Sequence, residues 1–227
     1  METEIINYKD KVKAVVRKGT SDSFVVKEVF SGEYNKLNIQ SDDIIVDFGM
    51  NIGMFTIFAL QKGAKKVYGY EAEEENYNLA CENLNMNITD PSRYLVENFA
   101  VVGSNDKQRY FSINKKKNKG AHSLIEKRGR KATVVECINI NTVLELAKPT
   151  IVKMDIEGAE YECLKAVKDF SGIREFIFEF HHAHLNDIKT HEKYNEILSL
   201  MRLHFPIVEA RADTKGAWVN IVYCRKE

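Results

Sequence analysis

Within seven residues, Asp47-Phe48-Gly49-Met50-Asn51-Ile52-Gly53 brings together a carboxylate, two glycines and an amide, directly after a β-branched run. Gly49 and Gly53 remove side chains where backbone must approach a ligand, and the free N–H groups of a following helix point into the same gap. That is a nucleotide-type cofactor turn. The spacing Gly49-x-Asn51-x-Gly53 departs from G-x-G-x-x-G, which sets a helix N-terminus against a pyrophosphate. Asp47 is expected to place a carboxylate beside the cleft, where it would repel a pyrophosphate but attract an ammonium. S-adenosylmethionine (SAM) carries an ammonium and a sulfonium, so SAM fits this turn better than its competitor NAD. Glu71 stands 18 positions after Gly53, at the expected end of the next strand, where an acid accepts from ribose hydroxyls. It also leads into Glu73, Glu74 and Glu75, a run that suits a helix N-terminus.

A second cluster, Lys153-Met154-Asp155-Ile156-Glu157-Gly158-Ala159-Glu160, follows an apolar strand, and open α/β sheets hold their ligands at such strand ends. Asp155 is expected to face the cleft and to touch both cofactor and substrate. Glu160 reads equally well as an acid favoured near a helix N-terminus. Methyl transfer from a sulfonium to an alcohol needs in-line alignment and loss of the hydroxyl proton. Asp155 is the expected base, helped by His181 or His182 from Glu179-Phe180-His181-His182-Ala183-His184. These histidines, with Glu179 and Asp155, also suggest a divalent ion. Their spacing does not favour it, because His182 and His184 share one strand face while His181 turns away, and no metal ligands are assigned.

These residues need a scaffold that alternates strand and helix. Strands are expected at 43–47, 66–71, 94–102 and 150–155, with helices at 52–62, 73–85, 141–147 and 158–167. Further strands are expected at 175–180, 206–210 and 217–224, with a helix at about 191–203. The pattern predicts a Rossmann-like, doubly wound, mostly parallel seven-stranded sheet with an antiparallel C-terminal strand. Residues 108–113 and 132–140 alternate with period two and predict an inserted β-hairpin. Residues 1–40 form a small N-terminal cap, with a strand expected at 23–30, on a core at 41–227. One domain is expected across 1–227.

The chain has 227 residues, 44% of them apolar, and its 33 basic residues match its 33 acidic ones. Net charge therefore selects no partner. The segment 115–131 is locally basic, with eight Lys or Arg residues against Glu126 alone. A solvated loop is the plain reading; an anionic acceptor such as a sugar phosphate or RNA is the alternative. Aromatic residues do not interleave it, which counts against a nucleic-acid stacking platform. Four dispersed cysteines read as reduced, mostly buried thiols. Neither a signal-peptide core nor a membrane-length apolar run is found, so the expected compartment is the cytoplasm. Oligomeric state is not legible.

The two motifs resemble the FkbM family of methyltransferases, whose members often read D-x-G-A-N-x-G early and K-x-D-x-E-G-x-E late. Asp47, Gly49, Asn51 and Gly53 match the first, with Met50 in place of the usual alanine. Lys153, Asp155, Glu157, Gly158 and Glu160 match the second. Thr20-Ser21-Asp22, Glu33-Tyr34, Glu71, Asn98-Phe99-Ala100-Val101-Val102-Gly103 and His122-Ser123 fall in the family's order, over about residues 17–182. The resemblance implies a Rossmann-like SAM domain that methylates a hydroxyl on a sugar, polyketide or other small metabolite. It implies SAM contacts from Asp47, Gly49, Asn51, Gly53 and Glu71, with Asn98 near the adenine and Tyr34 covering the pocket. A noncatalytic protein that keeps the fold as a binding module is the rival from another class; retention of Asp155 beside the turn acids speaks against it.

Overall fold

The computed structural model describes residues 1–113, 131–181, 188–212 and 219–226. Its centre is a seven-stranded sheet. In chain order its strands are β3 (Ile44–Phe48), β4 (Lys66–Tyr70), β5 (Tyr94–Glu97), β9 (Ile151–Met154), β10 (Glu175–His181), β11 (Ile207–Ala212) and β12 (Val219–Arg225). They lie side by side as β11-β12-β10-β9-β3-β4-β5. β12 runs antiparallel to both neighbours, β10 and β11, and the other printed pairings in this sheet are parallel. This is the predicted Rossmann-like sheet with its antiparallel last strand.

Strand alternation divides the core into two layers. Ile45 and Ile151 pack on one face with helix α2 (Met54–Gln61), while Val46, Phe48, Val152 and Met154 pack on the other with α4 (Ile140–Ala147), α5 (Glu160–Ala166) and α6 (Ile188–His204). Helix α2 is buried all round, from Met54 to Leu60. A helix without a polar face needs cover on its outer side. The N-terminal residues and α3 (Glu74–Asn87) provide it.

That cap differs from the expected one. It opens with a hairpin of β1 (Thr3–Tyr8) and β2 (Val12–Arg17), turned at Lys9 and Asp10, whose φ values are 51° and 54°. Two successive left-handed residues make a tight hairpin turn, usually written with Asn and Gly, so Lys-Asp gave no signal. The strand expected at 23–30 is instead helix α1 (Asp22–Glu28), continued by a π-helical turn at Val29–Glu33. Val26, Val29 and Phe30 are buried together. Their spacing of three and then one fits a helical face, and packing overrides the β-propensity of the valines.

The strand expected at 94–102 is broken. β5 ends at Glu97, and β6 (Ala100–Val102) pairs parallel with β8 (Lys131–Asn139) in a separate three-stranded sheet completed by β7 (Gln108–Ile113). β7 and β8 form the predicted inserted hairpin. The break follows from Asn98, whose Nδ2 donates to the carbonyls of Glu71 at 2.8 Å and Ala72 at 3.2 Å and so ties this bend to the end of β4. Among the described residues, no helix is long and apolar enough to cross a membrane.

The cap is fastened by buried polar groups. Arg17, 4% exposed, donates from Nε to Asp22 Oδ2 at 2.8 Å and from Nη2 to Asn76 Oδ1 at 2.6 Å. Asn83 of α3 accepts from Val15 N at 2.7 Å and donates to Ile52 O at 3.0 Å, joining hairpin, helix and cofactor-type turn. Removing one member of a buried pair strands the other charge at a cost of about 3–5 kcal/mol. Asp22→Ala should lower unfolding stability by about that amount in urea titration; an unchanged midpoint would show that Asn76, with Glu75 Oε2 at 3.6 Å from Arg17 Nη1, suffices for Arg17.

Candidate active site

The strand order reverses between β3 and β9, and the crevice at the C-terminal end of such a switch point is where open α/β sheets bind ligands. A cleft opens there. Gly49, Asn51, Glu71, Asn76, Asp155 and Glu157 give it a polar end, while Phe99, Val101 and Phe111 give it an apolar one. Its two walls come within reach at Gly49 (φ +76°): a Cβ there would lie 1.7 Å from the Asp155 carbonyl oxygen. The chain thus needs glycine at 49 for the approach of its own loop. Gly53 (φ +83°) serves packing as well, since its added Cβ would sit 3.2 Å from Ala80 Cα and Cβ on α3.

Asp47 does not form an acidic mouth. It is fully buried on the α2 face of β3, where its Oδ2 accepts from Thr56 Oγ1 at 2.7 Å and its Oδ1 lies 3.1 Å from Lys153 Nζ. Asp47 and Lys153 are register partners on adjacent parallel strands, so alternation turns both to the same layer. Lys153 also donates to the Gly49 carbonyl at 2.7 Å. Burial works against its charge, but Asp47 and then Asp155 outweigh that and hold the Lys153 pKa above the ordinary lysine value.

Glu71 lines the cleft with both oxygens oriented. Oε2 accepts from Asn51 N and Oε1 from Glu73 N, each at 2.9 Å. Asn51 takes a left-handed φ of 51° to make its contact, and its Oδ1 is buried with no hydrogen-bond partner among the described residues. Burial pushes the Glu71 carboxyl up to about 7, against the lowering effect of those two N–H donors.

Tyr34 sits away from the position expected of it, whereas Asn98 stays at the edge of the cleft. The amide nitrogen of Asn98 is committed to backbone carbonyls at the cleft edge. Tyr34 is buried behind the sheet's α2 face, its ring 4.6 Å from that of Phe55, and with Lys153 and Glu179 it lines a separate narrow crevice. Burial, then Glu179 and Asp155, raise the Tyr34 hydroxyl well above the usual tyrosine value. The carboxyl of Glu179 is likewise held well above its usual range, by burial and by Asp155.

The turn after β9 brings Asp155 and His181 together. Glu157 adopts a left-handed φ of 56°, and Glu160, 1% exposed, folds back to accept from Ile156 N at 3.3 Å and Gly158 N at 2.9 Å. The same Glu160 oxygen lies 2.9 Å from His181 Nδ1. Burial disfavours a charged ring, while Glu160 and then Glu157 raise the His181 pKa above the ordinary imidazole value. His182, His184, the His122-Ser123 pair and the basic run 115–130 lie outside the described residues. Neither Lys153 as a buried clamp nor Glu160 as the anchor of His181 was assigned from sequence. The register of β3 against β9 was the missing signal for the first.

A family model described as the methyltransferase FkbM domain matches residues 47–206. A methyltransferase named sdnD from Sordaria araneosa is 26% identical over 178 residues, which cover 64% of this chain and 69% of that protein. The crystal structure of methyltransferase FkbM from Methylobacillus flagellatus KT is similar in fold, with a TM-score of 0.53 at 18% identity. It covers 84% of this chain, which spans only 45% of that one. A putative rRNA-methylase from Clostridium thermocellum also has a TM-score of 0.53, at 12% identity over 87% of this chain and 94% of its own. Likenesses this distant bear on the fold alone, whereas the family match covers most of the chain. With both motifs inside the matched span, the chain belongs to the FkbM methyltransferase family.

Proposed function

We propose that the chain is a SAM-dependent methyltransferase that methylates a hydroxyl on a small molecule, such as a sugar or polyketide-type metabolite. The observation that carries this reading is the cleft at the β3–β9 switch point, with Glu71 fixed at one wall and Asp155 at the other. The residues present fit the cofactor. Glu71 keeps free lone pairs for ribose hydroxyls, and Phe99, Val101 and Phe111 offer an apolar slot to a flat ring. The unpartnered Asn51 Oδ1 suits an ammonium donor, since a buried acceptor left alone costs about 1–3 kcal/mol. Gly49 opens the space between them, while Asp47, Gly53 and Asn98 act by holding the turn and the strand ends in place.

SAM supplies a methyl group on a positively charged sulfur. The chain's own part is to align the acceptor and to handle its proton. Asp155, on the cleft wall, accepts the hydroxyl's hydrogen bond and takes its proton as methylation proceeds. His181 stands beside it, with Nδ1 turned to Glu160 and Nε2 3.8 Å from Asp155 Oδ1. The acids around Asp155, namely Glu157, Glu160 and Glu179, favour a neutral hydroxylated acceptor over an anionic one. An RNA acceptor rests on the basic segment 115–131 alone.

The raised pKa of Glu71 sets the sign of a pH effect. An acid whose folded pKa lies above its unfolded 4.5 contributes stability that is present below about pH 4.5 and lost as pH rises through about 7. Ribose hydroxyls donate best to the ionised form, so binding expels a proton. The affinity for the demethylated product of SAM should therefore rise between about pH 6 and pH 8, with proton release measurable by calorimetry in buffers of different ionisation enthalpy. Glu71→Gln should remove that pH dependence and weaken binding roughly ten- to hundredfold. Failure of the wild-type chain to bind both SAM and its product would overturn the cofactor assignment. Asp155→Asn should leave cofactor affinity near normal while turnover falls by roughly 10²–10⁴-fold; surviving turnover would remove Asp155 as the base.

A further inference from the structure

We infer that Asp155, Glu157 and His181 form a binding site for a divalent cation. One donor atom from each lies within 4.8 Å of the others. His181 Nε2 is 3.5 Å from Glu157 Oε2 and 3.8 Å from Asp155 Oδ1. Both separations exceed hydrogen-bond length, although a ring proton facing two carboxylates would draw at least one of them in to about 2.7–2.9 Å. Both lie within the ~4.2 Å that two donors of one cation can span. Two donors at about 2.1 Å from one cation stand about 3.0 Å apart at a right angle and about 3.8 Å apart at about 130°.

The orientation of the ring is a separate observation. Glu160 is an acceptor with its N–H partners already in place, so His181 Nδ1 is the donor of their 2.9 Å contact and Nε2 is left to face Asp155 and Glu157. A carboxylate that fixes one imidazole nitrogen so that the other meets a metal is the usual support of a histidine ligand. A third observation concerns Asp155 itself: its Oδ1, the atom facing Nε2, is buried with no hydrogen-bond partner among the described residues. The sequence had suggested His181, His182 or His184 with Glu179 and Asp155; among the described residues the geometry keeps Asp155 and His181 and adds Glu157.

One imidazole and two carboxylates suit a six-coordinate cation such as Mn²⁺ or Mg²⁺, with several positions left open, better than a closed four-coordinate zinc site. Asp155 and Glu157 line the cleft, so those open positions face the space assigned to the acceptor. The role of the cation rests on the proposed reaction: it would hold the acceptor's hydroxyl oxygen and make that hydroxyl more acidic. Its binding does not rest on that reaction.

The test uses the full chain, stripped by a chelator and titrated with Mn²⁺ alone, with free Mn²⁺ followed by its electron paramagnetic resonance signal. One Mn²⁺ per chain is expected. Glu157→Gln and His181→Ala should each weaken binding at least about tenfold, and Glu160→Gln, which removes only the support, about 10–100-fold. Thermal melts and SAM titration of each variant separate misfolding from ligand loss. Absence of stoichiometric Mn²⁺ binding by the wild type, or equal affinity in His181→Ala, overturns the site. If the wild type binds SAM but no Mn²⁺, the cation site fails and the methyltransferase reading stands; binding of Mn²⁺ without SAM gives the reverse.

Discussion

The buried pair of Asp47 and Lys153 is the contact on which the cleft depends. It joins the two strands that flank the switch point, and the same ammonium reaches the Gly49 carbonyl at 2.7 Å. Three segments are thereby fixed together: the end of β3, the turn that follows it and the end of β9. Ion pairs in such settings often contribute little net stability, because desolvation offsets their attraction. Their effect lies in position. Here the position is exacting, since the Asp155 carbonyl sits where a Cβ of residue 49 would be. A displacement of either strand would close the gap through which the cleft's two walls communicate.

The same constraint explains the N-terminal cap. Lys153 and Asp47 point into the α2 layer, so that layer has to be dry, and α2 is accordingly apolar on every side. A dry helix with no solvent face must be roofed. The β1–β2 hairpin, α1, the π-helical turn and Tyr34 form that roof, fastened through Arg17, Asp22 and Asn83. Tyr34 therefore belongs to the insulation around the buried pair rather than to the cofactor cleft.

Much of this was legible in the sequence wherever one local pattern decides the outcome. The strands from β3 to β12, the inserted hairpin and the placement of Glu71 and Asp155 at strand ends follow from periodicity and turn chemistry. What failed depended on partners distant in the chain. Residues 23–30 read as a strand because valine favours one, yet their burial is helical, which becomes visible only once α2 needs a cover. Residues 94–102 read as continuous until Asn98 is seen tied to the carbonyls of Glu71 and Ala72. Asp47 was placed at the cleft because its distance from Gly49 was read without the register against β9.

That error points to a general distinction among the acids of this fold. Asp47 and Glu160 have 0% and 1% of their surface exposed, and each is engaged by donors from its own scaffold. Glu71, Asp155 and Glu157 line the cleft. Glu71 is held there by backbone N–H groups that orient it without neutralising it, and Asp155 keeps an oxygen without a partner. By residue type and by motif the two groups are indistinguishable, since both sit in the same short runs after strands. Pairing with a basic side chain separates them, because a carboxylate already held by Lys153 or His181 has less left to offer a ligand. The cleft's chemistry therefore rests on the acids that the scaffold orients but leaves chemically incomplete, with Lys153 paired to Asp47 behind the cleft and His181 held by Glu160 at its edge.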